Sequence, residues 1–125
     1  MQYLRAMKKT LVIGASHNPE RYSNIVIKRL LDKGHEVLAL GKKPGTIEGV
    51  PVHTTREDFR DIDTVSLYLN KDNQRDFYDY IISLKPRRVI FNPGTENPEF
   101  YDLLMEQGIE VDLACSMVLL ASDQY

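Results

Sequence analysis

Thr10-Leu11-Val12-Ile13-Gly14-Ala15 is a short run of branched apolar residues closed by glycine, the pattern of a strand buried on both faces. A polar stretch, Ser16 to Ser23, follows it. Val26, Ile27, Leu30 and Leu31 then recur at helical spacing, and Gly34 stands where a C-terminal cap belongs. His35 to Leu40 predicts a second strand, ending in Gly41-Lys42-Lys43-Pro44-Gly45, a loop with two cations among turn-forming residues. Strand, helix and strand joined this tightly form a right-handed parallel unit, which brings the loop after each strand to one common edge of the sheet.

The alternation continues along the chain. Val50 to Thr54 predicts a short strand, Arg56 to Phe59 a short helical stretch, and Asp63 to Leu69 a further strand. Asn70 is placed to cap a helix carrying Phe77, Tyr80, Ile81 and Leu84 on one face, which Pro86 stops. Arg87 to Asn92 is strand-like. Asn97-Pro98 opens a helix with proline at its first position and Phe100, Leu103, Leu104 and Met105 as its inner face, up to Gly108. Ile109 to Val111 predicts the last strand, Ala114 to Ala121 a terminal helix, and the polar Ser122 to Tyr125 closes the chain. The expected architecture is α/β with three layers: an open, mostly parallel sheet of about five to six strands with helices on both faces. Residues 1–125 are expected to form a single domain, for which a core of ordinary size suffices.

Composition narrows the function classes. Apolar runs reach only about six residues, far short of the roughly 20 that a membrane-spanning helix needs. The basic start, Met1 to Lys9, has no apolar stretch of signal-peptide length behind it, so a cytoplasmic location and no membrane partner are expected. Cys115 is the only cysteine, and His17, His35 and His53 are far apart, so neither a disulfide nor a structural metal is expected. The net charge of −2 conceals an asymmetry. Met1 to Pro44 holds nine Lys/Arg against three Asp/Glu, whereas the remainder holds seven against fifteen. A small anionic ligand at the first third is the expectation. Nucleic acid is not, since the pI is about 5.9 where such domains usually exceed about 9.

In open parallel sheets ligands bind beyond the carboxyl ends of the strands, where the strand order reverses. The loop from Gly14 to Asn24 therefore occupies the place of a dinucleotide fingerprint, but only Gly14 matches the glycine triplet, with Ser16 and Pro19 at the other two positions. Phosphate would still find donors there: the Ser16 and Ser23 hydroxyls, the Asn18 amide, the Arg21 fork, and the free N–H groups of the helix start at Tyr22. The same residues also suit a plain polar turn. After the second strand an NAD site would place an acid; Gly41-Lys42-Lys43 suits a phosphorylated ribose, as in NADP or the 3′-phosphate of coenzyme A, or a solvated basic loop.

Val12 to Asn24 followed by Val37-Leu38-Ala39-Leu40 resembles the opening of the small stand-alone CoA-binding domain proteins, and the resemblance extends through almost the whole chain. It implies a Rossmann-like fold related to the CoA-binding domain of succinyl-CoA synthetase alpha subunits and acyl-CoA synthetases, with coenzyme A or an acyl-CoA as ligand. It implies no activity. By that similarity Gly14, Ala15, Ser16, Asn18 and Arg21 match the loop around the CoA phosphates, and Gly41, Lys42 and Lys43 the loop near the adenosine and its 3′-phosphate. Tyr68, Leu69 and Asn70 would flank the adenine or pantetheine path, with Asn92, Pro93 and Gly94 opening the next loop on that edge. The chain departs from the relatives in lacking tryptophan and in having Gly41-Lys42 where they often have Asn-Pro.

Three functional readings follow: a non-catalytic module binding coenzyme A or an acyl-CoA, a small NADP-linked oxidoreductase, or an interaction subunit whose nucleotide site has decayed. The sequence names no protein partner. Cys115 has no neighbouring cation to stabilise a thiolate and reads as a structural cysteine, and Glu96 and Glu99 suit a helix N-terminus better than acid–base chemistry. His17, within the candidate phosphate loop, is either an anion donor or an exposed loop residue.

Overall fold

A computed structural model describes residues 7–125; the reading of the basic N-terminus falls mostly on residues 1–6, outside the described residues. The chain alternates as read. β1 (Thr10–Ala15) leads to α1 (Tyr22–Asp32) and β2 (Val37–Gly41). β3 (Gly45–Ile47) and β4 (Val50–His53) follow, then β5 (Thr64–Leu67). After α2 (Lys71–Gln74) and α3 (Tyr78–Ser83) come β6 (Arg88–Phe91), α4 (Pro98–Glu106), β7 (Glu110–Asp112) and α5 (Ser116–Ala121). The sheet order is β3-β4-β2-β1-β5-β6-β7. All pairings are parallel except β3 with β4.

Strand alternation builds the layers. Leu11 and Ile13 of β1 face one side, with Leu67, Val89 and Phe91, and are covered by Ile81 of α3 and by Phe100 and Leu104 of α4. Val12 faces the other, with Ala39, Val52 and Ile90, under Val26, Ile27 and Leu30 of α1 and Leu120 of α5. Because both faces are buried, the central strands read as continuous apolar runs rather than alternating ones.

Four details differ from the sequence reading. The sheet has seven strands, one more than the upper expectation, because Gly45–Ile47 turns back on β4 as a hairpin. Its two turn residues, Glu48 and Gly49, both have positive φ (49° and 83°), the geometry of the tight turn that matches strand twist. Arg56 to Phe59 is not helical. The Arg56 guanidinium lies 4.4 Å from the Phe77 ring centroid, Phe59 packs edge-on against His53, and the Tyr80 hydroxyl donates to the Glu57 carbonyl at 2.6 Å. Those anchors hold the segment open, and a stretch of about four residues recovers too little to offset helix nucleation. The helix expected after Asn70 is broken by a 3₁₀ turn at Arg75–Phe77, directly after Gln74, whose side chain turns inward and is fully buried. Met105 points to solvent, 57% exposed, while Phe100 and Leu104 alone on α4 are fully buried.

The predicted caps are present. Asn70 accepts from the Asn73 N–H, and Asn97, ahead of Pro98, accepts from the Phe100 N–H, each satisfying one of the orphan donors of a helix start. Among the described residues no helix is long and apolar enough to cross a membrane, and no cluster of side chains suits a metal ion.

Candidate functional site

β1 lies between β2 and β5. From β1 the chain first runs outward through β2 and β4, then returns to β5 and runs the other way, so the strand order reverses at the carboxyl ends of β1 and β5. That is where a crevice opens in such sheets. The loop after β1 and the loop after β5 meet there: the Tyr68 N–H donates to the Ile13 carbonyl at 2.9 Å. Gly14, at φ +92°, packs so closely that a Cβ would stand 3.1 Å from the Tyr68 carbonyl carbon and oxygen. On the other side, Gly41 is brought opposite Ala15 by an irregularity in the β1–β2 register, and a Cβ at Gly41 would run into the Ala15 carbonyl oxygen. The two glycines allow the three loops to converge.

A groove of about 1250 Å³ runs over this edge. Gly14, Ala15, Ser16, Asn18, Arg21, Tyr22 and Ser23 line it, together with Gly41, Lys42, Lys43, Tyr68, Asn70, Pro93 and Gly94. Asn92 stands apart from the other sequence-derived candidates. It is 1% exposed; its amide donates to the Ser66 hydroxyl and Leu67 carbonyl, and its Oδ1 accepts from the Ser116 N–H. Those bonds tie β6 to β5 and to the start of α5 beneath the groove. Glu96 accepts from the Gly94 N–H, and Glu99 pairs with Arg75 and accepts from the Tyr78 hydroxyl; neither lines the groove. Half-buried Cys115 lies outside the lining as well.

The first loop is shaped by its own side chains. The Ser16 oxygen accepts from the Asn18 N–H, and Asn18 Oδ1 accepts from the Glu20 N–H, local bonds that hold tight turns. Buried Asn24 reaches back to the Ser16 carbonyl at 2.9 Å. The Ser16 hydroxyl proton is left to donate outward. At the end of the loop, α1 starts on Arg21 with no side-chain cap and no acid in its first turn. Its terminal N–H groups and its positive dipole end therefore remain available to an anion.

The charge of the groove agrees. Arg21, Lys42, Lys43 and Arg56 line it, and none forms an ion pair among the described residues, whereas Lys9, Lys33, Arg75, Arg87 and Arg88 all do. Asp76 is the one carboxylate in the lining. The basic surplus of the first third is thus only partly a site signal. Three of its cations reach the groove, and Arg56, from the acidic remainder, joins them. Tyr68 borders the groove, but its hydroxyl is buried near Ser66 and Ser116 rather than offered to it; burial pushes its titration far above the ordinary phenol range, outweighing the opposing influence of those two hydroxyls.

Sequence reading missed Thr54, Thr55, Arg56, Asn73 and Phe77 in the lining. Thr54 closes the expected strand, Thr55 lies between it and the expected helical stretch that Arg56 opens, and Phe77 reads as a core residue. It also missed Gln74, which sets the far wall. The Gln74 amide donates to the Leu69 and Thr95 carbonyls at 2.8 and 2.7 Å, and its oxygen accepts from Asn97, which in turn donates to the Tyr78 hydroxyl. A buried glutamine at that point of a broken helix has no local sequence signature. Gln74→Leu keeps the volume and leaves both carbonyls without a donor. It is expected to lower unfolding stability by about 2 kcal/mol in urea titration; an unchanged midpoint would show that the network is dispensable.

A model of the CoA binding domain family matches residues 8–121. A crystal structure of an uncharacterized protein is 45% identical and superposes with a TM-score of 0.94 over 97% of this chain and 100% of that one. A conserved hypothetical protein from Pyrococcus furiosus is 31% identical, with a TM-score of 0.80 over 90% and 98% of the two chains. An acetyl-coenzyme A synthetase of Ca. Korarchaeum cryptofilum, solved with phosphate and ADP, shares the fold at 16% identity, with a TM-score of 0.69 over 87% of this chain and 26% of that one. No curated protein matches.

Proposed function

The chain belongs to the CoA binding domain family, and on that premise we propose that it binds coenzyme A or an acyl-CoA in the groove as a non-catalytic module. The observation that carries the proposal is the uncapped, acid-free start of α1 beside cations that form no ion pair among the described residues. The pyrophosphate lies on the loop from Gly14 to Ser23 and on the first N–H groups of α1, where Arg21 adds a forked donor. Lys42 and Lys43 take the 3′-phosphate of the adenosine. The pantetheine arm runs past Tyr68 and Asn70 towards Pro93 and Gly94. Among the described lining residues no hydrogen bond joins a nucleophile to a base, which supports a holding role. The synthetase that shares the fold supports the choice of ligand class.

Calorimetric titration tests the reading. Coenzyme A is expected to bind with a dissociation constant in the micromolar range or tighter. Arg21→Ala or Lys42→Ala should each weaken it by roughly 10- to 100-fold, the worth of a charged hydrogen bond to phosphate. Lys42→Ala should matter less for dephospho-CoA, which lacks the 3′-phosphate. Binding of NADP without coenzyme A would transfer the groove to a dinucleotide, and silence with both would leave an interaction subunit.

A further inference from the structure

Resting on the reading that the groove holds coenzyme A, we infer that Arg56 and Phe77 form a stacking platform for its adenine base. The Arg56 guanidinium lies over the Phe77 ring, 4.4 Å from the ring centroid, and both residues line the groove. Arg56 is exposed and forms no ion pair among the described residues, although Asp76, next to Phe77 in sequence, lines the groove as well. The ring, and not a carboxylate, therefore sets where the guanidinium stands. An aromatic face attracts a cation, and a guanidinium held there is a flat, weakly hydrated group suited to an aromatic partner. Its backbone is anchored too: the Tyr80 hydroxyl donates to the Glu57 carbonyl at 2.6 Å, and Phe59 packs edge-on against His53 at the end of β4. Little ordering is left to the moment of binding.

The order of the strands brings the base to this platform. Along the carboxyl edge the order is β4, β2, β1, β5 and β6. The pyrophosphate lies on the loop after β1, the 3′-phosphate on Lys42 and Lys43 after β2, and the pantetheine arm leaves towards β5 and β6. The His17 Nε2 stands 3.0 Å from the Lys43 carbonyl oxygen and ties the two phosphate loops together. The base is carried by the ribose that bears the 3′-phosphate, so it lies on the side of β2 away from the arm. There the chain leaves β4 at His53 and continues to Arg56, and Phe77, from the 3₁₀ turn beyond β5, reaches the same point. A further phosphate contact is the poorer use of this pair. The three phosphates already have the start of α1, Arg21 and the two lysines, and a cation meant for phosphate gains nothing from having an aromatic ring beneath it.

NMR of the complex and the affinities of two variants test the inference. Intermolecular NOEs are expected between adenine H2 or H8 and the Arg56 δ-methylene or Phe77 ring protons. Arg56→Lys keeps the charge but not the flat face. It should weaken coenzyme A and dephospho-CoA by the same factor, roughly tenfold, because the base is common to both ligands. Phe77→Leu keeps the apolar bulk without the ring and should show a similar loss. A loss confined to coenzyme A would assign Arg56 to the 3′-phosphate and overturn the inference, as would wild-type affinity in either variant. An equal loss without these NOEs would reduce the pair to a support for its segment, and also overturns it; in each case the coenzyme A reading stands. Absence of any binding by the wild type, with coenzyme A or with dephospho-CoA, overturns both readings together.

Discussion

Replacing Arg88 with methionine is expected to lower unfolding stability by about 3–5 kcal/mol, the usual consequence of removing one partner from a buried, fully engaged charge cluster. Arg88 lies on β6 and is 4% exposed. Its Nε donates to the Thr64 hydroxyl at 2.9 Å and its Nη2 to the Tyr125 main-chain oxygen at 2.8 Å. Nη1 is 3.5 Å from Asp112, and the guanidinium stands 4.4 Å from the Tyr125 ring centroid. The Tyr125 hydroxyl continues the cluster to Thr10 at 2.7 Å. Methionine fills the space of the arginine stem but removes the donor to Thr64 and the charge partner of Asp112, leaving the Tyr125 backbone oxygen with Lys8 Nζ at 2.7 Å. Arg87, next in sequence, is the control. It is half exposed and pairs with Asp63 and Glu110 at the surface, so Arg87→Met should cost under about 1 kcal/mol. Urea unfolding of the two variants decides the matter: comparable losses would mean that Arg88 is no more than another surface charge. Thr64, Arg88 and Tyr125 are absent from the groove lining, and the folded fraction of Arg88→Met should bind coenzyme A as the wild type does.

Gly41→Ala should damage both stability and binding. The added Cβ runs into the Ala15 carbonyl oxygen, with the Val52 Cγ1 at 3.2 Å as a second obstacle. A backbone oxygen in the middle of a sheet cannot step aside as a side-chain tip can, so β1 and β2 must separate where they enter the groove. Overpacking of this kind costs about 2–3 kcal/mol, which for a domain of this size corresponds to a melting temperature lower by on the order of 10 °C. The same displacement moves Lys42 and Lys43 away from the Ser16 loop, and coenzyme A affinity should fall by roughly tenfold or more at temperatures where the variant remains folded. A variant that melts with the wild type would show that the strands yield freely at this point. One that is destabilised but binds normally would place the ligand away from the β1–β2 edge.

The elements legible in the sequence are those whose signal is local. The branched run of β1 and the helical spacing in α1 both lie within one stretch of chain, as does the Asn97-Pro98 start of α4. Each forms where expected. The candidate loops after β1, β2 and β5 follow in the same way, because right-handed parallel connections bring the carboxyl ends of strands to one edge whatever their side chains. The positive charge of Lys42 and Lys43 is likewise legible in the sequence alone.

Other features are fixed only by distant partners. Arg56 enters the groove because Phe77 and Tyr80, more than twenty positions onward, hold its segment out of a helix. Asn92, polar and at the end of a strand, is consumed by Ser66, Leu67 and Ser116, and its sequence looks the same whether it faces ligand or core. Arg88 and Tyr125 read as a strand residue and a polar tail, and became a buried cluster through contacts 37 positions apart. By itself the sequence determined the order of strands and helices and the edge at which the groove opens, since hydrophobic period and backbone chirality act over neighbouring residues. Which polar side chains line that groove, and which are spent inside, was decided by the tertiary structure: a buried donor must find its acceptor wherever the packed chain supplies one.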